Sequence, residues 1–179
     1  LSIVAATINA TVKGENANSY VTLTEANSYF ETVPDSSTWT NKTDDQKNRS
    51  LIAATRWIDT FVFQGDRCDE NQALKFPRTN YQVDRVELSC STIPNNIKYA
   101  QYELARALAN DTDAITGTTG KEGNISEAKL GDLEVKFNTT SQNTGSVNNI
   151  MDVYPWLQSY LGAYMLGGAG SYQVRVVRG

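Results

Sequence analysis

At 179 residues and 40% hydrophobic composition, the chain is long enough for one domain with its own core, and a formal net charge of −4 argues against the general basic footprint of a nucleic-acid binder. It contains no histidine, which excludes imidazole bases, His-containing triads and His-ligated metals together. No run approaches the ~18 to 20 apolar residues that a membrane span requires.

The opening "LSIVAATINA" is apolar but lacks a basic flank, so an extended arm is expected and not a signal peptide. Leu1 is not a natural start, and removal of something before it is expected. Thr22 and Glu25 form a capping box ahead of Ala26, Tyr29 and Phe30, which predicts a short helix from Leu23 to Thr32, stopped by Pro34 and "DSS". A second box, Thr43 to Gln46, opens the longest predicted helix. Its apolar stripe is Leu51, Ala54, Trp57, Ile58 and Phe61, and its end is expected near Phe63, before Gly65. "IPNNIKYAQYELARALAN" predicts a third helix, with Pro94 at the first position and Ile97, Ala100, Leu104, Ala107 and Leu108 on one side.

Asn110 to Gly123 is polar and reads as a loop. "ISEAKLGDLEVKF" then alternates about Gly131-Asp132, predicting a β-hairpin of Ile125 to Lys129 against Leu133 to Phe137. A polar link leads to "MDVYPWLQSYLGAYML", read as a last helix that Pro155 opens and Gly167 and Gly168 close. The expected fold is mainly α, a bundle of about four helices over residues 1–170, with the hairpin inserted near 125–137 and extended arms at both ends.

Little in the sequence marks chemistry. Asp66, Asp69 and Glu70 in "GDRCDEN" lack the ligand order of a calcium loop and read as a solvated turn. Neither a P-loop nor a GxGxxG follows a predicted strand, so no cofactor, no metal and no catalytic residue is expected. Cys68 and Cys90 are far from any CxxC spacing; reduced thiols are expected, with a disulfide as the alternative. Six N-x-[ST] sequons, at Asn9, Asn41, Asn48, Asn110, Asn124 and Asn138, are weak evidence of glycosylation in so Asn- and Thr-rich a chain. Trp39, Trp57 and Trp156 would suit base stacking, but two of them sit on predicted apolar faces.

Two strings carry more. In "LKFPRT", Pro77 forbids helix, and the bland reading is a turn that buries Leu74 and Phe76 while Arg78 is solvated; the functional one makes Arg78 a fixed contact to an acidic neighbour such as another subunit. The closing "GGAGSYQVRVVRG" reads as a hinge, Gly167, Gly168 and Gly170, followed at 171–179 by a strand-like tail. There Tyr172, Val174 and Val176 alternate with Gln173, Arg175 and Val177, and Arg175 and Arg178 suit an acidic dock on another chain.

The strings "ANSYVTLTEANSYF", "LIAATRWID", "ALKFPRT", "IPNNIKYAQYELA" and "GSYQVRVVRG", in this order, resemble the landmarks of tailed-phage head-to-tail adaptor proteins, a group also catalogued as DnaT-like single-stranded-DNA-binding proteins. Where the family usually carries Trp, this chain has Phe76. The resemblance implies a non-enzymatic structural protein of the virion, assembled in the host cytoplasm as a dodecameric ring. It would join the portal, through the tail Tyr172 to Arg178, to a tail or nozzle protein, with genomic DNA passing through its lumen and no membrane partner. The alternative it implies is a single-stranded-DNA-binding replication accessory protein.

Overall fold

The computed structural model describes residues 5–110, 127–130, 133–136 and 150–167. Helix α1, Leu23–Glu31, starts where the first capping box places it: the Thr22 hydroxyl accepts from the Glu25 N–H, and the Glu25 carboxylate accepts from the Thr22 N–H at 2.8 Å. Helix α3, Asp44–Ile58, opens on the matching box of Thr43 and Gln46, with Asp44 and Asp45 at its positive end. It stops at Ile58, short of the expected Phe63, because the chain turns out through Asp59 to Phe61, whose N–H bonds the Ile58 carbonyl.

Between them lies a helix that the sequence reading passed over, α2, Ser37–Thr40. One turn is too short to show a periodicity. It exists to bury Trp39, whose ring lies 4.7 Å from that of Phe30 and whose indole N–H donates to Asn27 Oδ1 at 3.0 Å.

Helix α4, Asn95–Asn110, follows Pro94, whose carbonyl accepts from Ile97 and Lys98. It is the centre of the fold, packed against α2, α3 and a C-terminal helix, with Ile97, Ala100, Leu104 and Leu108 fully buried. Ahead of Pro155 stands a one-turn helix that the sequence reading passed over, α5, Ile150–Val153, and the predicted last helix is α6, Leu157–Leu161, shorter than expected at both ends. Leu157 and Leu161 complete the core.

Buried Gln101 fastens three segments of this core. Its amide donates to Ser19 Oγ at 2.7 Å and to the Leu51 carbonyl at 3.1 Å, and its oxygen accepts from the Tyr20 N–H. The N-terminal arm is extended as expected and lies along α3: Ala6 N–H donates to Asp45, and Asn48 Nδ2 donates to the Ala6 carbonyl at 2.8 Å.

Four two-residue strands lie between α3 and α4. β1, Asp66–Arg67, pairs antiparallel with β2, Arg78–Thr79, and β3, Gln82–Val83, pairs with β4, Val86–Glu87. Asp84 and Arg85 join β3 to β4 with φ of 52° and 67°, the left-handed pair that a tight hairpin turn demands. Gly65 is required here, since a Cβ on it would meet the Thr79 carbonyl oxygen at 2.3 Å. The expected insert hairpin is present as β5, Glu127–Leu130, antiparallel to β6, Leu133–Lys136, in the register Leu130 to Leu133.

The cysteines are joined. Cys68 and Cys90 form a disulfide with Cα atoms 5.5 Å apart, against the expectation of reduced thiols. The 22-residue separation concealed it, because proximity came from the paired strands, which the sequence reading had not placed.

Candidate interaction surfaces

The "LKFPRT" segment builds the first surface. Phe76 is buried, with Tyr20, Phe63 and Tyr164 set edge-on to it at centroid distances of 6.1, 4.8 and 5.8 Å. The Phe76–Pro77 bond is cis, and Arg78 follows at once. Arg78 is 9% exposed and not solvated. Its guanidinium donates to the carbonyls of Gln64 at 2.6 Å, Phe63 and Lys75 at 3.2 Å, and Gly65, and burial lowers its pKa. Four acceptors at different angles are what a planar, five-donor group can serve, so Arg78 holds the loop in shape.

The charge of Arg78 stays close to the surface. With Val62, Phe63, Asp66, Arg67 and Lys75 it lines an open cavity of about 400 Å³. The Lys75 ammonium donates to the Phe61 carbonyl, and Arg67 is exposed and makes no ion pair among the described residues. Carbonyls satisfy donors but do not cancel charge.

A second surface runs from α1 across α4 to α6. Tyr102 stacks on Tyr29 at 4.6 Å, Tyr29 neighbours Tyr99 at 5.6 Å, Tyr99 meets Tyr160 at 6.5 Å, Tyr160 meets Trp156 at 6.2 Å, and Trp156 meets Tyr154 at 5.9 Å. The row ends in an open groove of about 490 Å³ between Tyr154, Trp156, Tyr160 and the Glu103–Arg106 pair. Burial raises the pKa of Tyr29 and Tyr102, so their hydroxyls stay protonated.

The third cluster is internal. Asp59 accepts from the Tyr20 hydroxyl and, at 3.2 Å, from the Lys75 N–H; burial pushes the Asp59 carboxyl up and, with Asp59 beside it, pushes Tyr20 well above the usual phenol range. A phenol so held is a poor nucleophile, and the cavity beside Tyr20, about 10 Å³, holds one water at most. Among the described residues no group of His, Cys, Asp and Glu is arranged to hold a metal, and no helix is long and apolar enough to cross a membrane.

Gly167 has φ +77° with open space around it, the left-handed conformation expected of it, though six residues past the end of α6. Gly168, Gly170 and the tail residues Tyr172, Val174, Arg175, Val176, Val177 and Arg178 lie outside the described residues. Trp39 is fully buried, while Trp57 and Trp156 are half-buried. The aromatic row escaped the sequence reading because its members come from three helices. Their spacing within α4, Tyr99 and Tyr102, was the one local trace.

Residues 5–179 match the family described as putative DnaT-like ssDNA binding proteins, and the chain belongs to that family. Among curated proteins and solved structures nothing matches it.

Proposed function

We propose that the chain is a structural adaptor of a tailed-phage virion, forming a ring between portal and tail through which DNA passes. The observation that carries this reading is the order of the resembling strings. The first four supply α1, α3, the Phe76–Arg78 loop and α4, which together make one core, as expected of a body whose work is to hold shape. A net charge of −4 supports it, since a wall without dense Lys and Arg lets DNA slide. The tail from Tyr172 to Arg178 would dock on the portal, and Gly167 to Gly170 would act as its hinge.

A second reading, a single-stranded-DNA-binding accessory, is favoured by the family's description and by the aromatic row ending at Trp156. The net charge works against it. One experiment separates the two: the full chain and a chain lacking residues 171–179 are each offered a candidate portal and a fluorescent oligonucleotide at low salt. The adaptor reading expects portal binding that is lost on truncation while the body stays folded. Undiminished portal binding by the truncated chain refutes the docking tail. Salt-sensitive oligonucleotide binding with Trp quenching, and none to the portal, establishes the second reading instead.

A further inference from the structure

The three most exposed large hydrophobic side chains among the described residues are Val86 at 68%, Leu166 at 63% and Val62 at 60%. Their positions are not scattered. Val62 lines the cavity that Arg67, Lys75 and Arg78 make basic, and the Leu166 N–H donates to the Val62 carbonyl at 2.9 Å, which holds the two residues side by side. Val86 stands on the β3–β4 hairpin, flanked by Glu87 and by Arg85, which shares the turn with Asp84.

We infer that the β3–β4 hairpin of one copy of this chain seats in the Val62–Arg67–Lys75–Arg78 cavity of the next. Charge favours the fit. The cavity offers three cations and the carboxylate of Asp66, which Asn80 holds at 3.0 Å. The hairpin offers two carboxylates, Asp84 and Glu87, one cation, Arg85, and an apolar knob, Val86, for an apolar rim. Arg78 and Lys75 have spent donors on backbone carbonyls and retain their charge, so an incoming carboxylate is attracted without the loop having to rearrange.

In the ring reading each copy gives its hairpin to one neighbour and receives the hairpin of another, so the contact is head-to-tail. Such contacts repeat, and they close into a ring when the rotation between copies allows it. The hairpin is suited to the role of knob, because its turn is fixed by two left-handed residues and the disulfide at Cys90 ties the segment behind it to the body at Cys68. This inference rests on the ring reading and supplies the contact that reading lacks.

The test is a charge exchange. Arg67 and Glu87 are both exposed, so Arg67→Glu and Glu87→Arg should leave the fold intact by circular dichroism. Self-association of the full chain is followed by sedimentation velocity over a concentration series. Each single variant is expected to associate about tenfold more weakly than the unaltered chain, and the double variant to recover. Val86→Ser, which removes the apolar knob and adds no charge, should weaken association as well. A chain that is monomeric throughout, single variants that associate normally, or a double variant as weak as the singles would each overturn the contact. Portal binding by a monomeric chain would refute it and leave the adaptor reading standing; self-association through this cavity without portal binding would do the reverse.

Discussion

Asp59 is a half-buried carboxylate whose ionisation the fold resists. Burial raises its pKa, and the Tyr20 hydroxyl and Lys75 N–H offset that only in part. The folded state therefore binds this proton more readily than the unfolded chain, whose carboxyl titrates near ~3.9. By linkage the Asp59 contribution is most favourable below that value and falls as pH rises toward the folded pKa. Asp59→Asn carries no charge at any pH, while carboxylates such as Glu25 titrate alike in both proteins. Urea unfolding at pH 4 and pH 7 should therefore show the variant gaining on the unaltered protein as pH rises, by about 1.4 kcal/mol for each unit of the raised pKa. A stability gap that does not change with pH would mean that Asp59 is not raised. Gln101 and Arg78 hold segments together by other means, each donating to acceptors from separate segments of the chain.

At the scale of elements, what sequence could show was what local bonding decides. Both capping boxes formed on the expected residues, and the strands of the insert hairpin paired antiparallel as expected, because those signals act over a few residues. Trp39 in α2, the two small sheets and the disulfide were hidden, since each owes its existence to a partner distant in sequence. The same reason kept Arg78 from view: its acceptors at Phe63, Gln64 and Gly65 lie more than ten residues upstream. The disulfide gives this scale its prediction. Joining Cys68 to Cys90 closes a loop that holds β2 and the β3–β4 pair, so Cys68→Ala with Cys90→Ala should cost about 3 kcal/mol in urea unfolding. Amide exchange should quicken first in residues 80–92 and least in α3 and α4. Equal loss of protection throughout would show that the bond supports the whole core and not this segment.

The molecule as a whole stands on one hydrophobic cluster that gathers Phe30 and Trp39 from the N-terminal helices, Leu51 and Ile58 from α3, Leu104 and Leu108 from α4, and Leu157 and Leu161 from α6. Elements that share so continuous a core lose their packing together, which predicts cooperative unfolding. The tryptophans are placed to test it: Trp39 reports the contact of α1, α2 and α4, and Trp156 reports α6 and the aromatic row. Unfolding in urea followed by Trp fluorescence in the unaltered chain and in Trp156→Phe should give the same midpoint as far-UV circular dichroism. A fluorescence transition that precedes the dichroism, and that Trp156→Phe removes, would mean that α5 and α6 leave the body before the rest melts. That outcome would also bear on the tail, because Gly167 lies only six residues past the end of α6. A tail anchored to a cooperative body transmits a pull to the core, whereas one anchored to a helix that detaches would transmit it only after the aromatic row had opened.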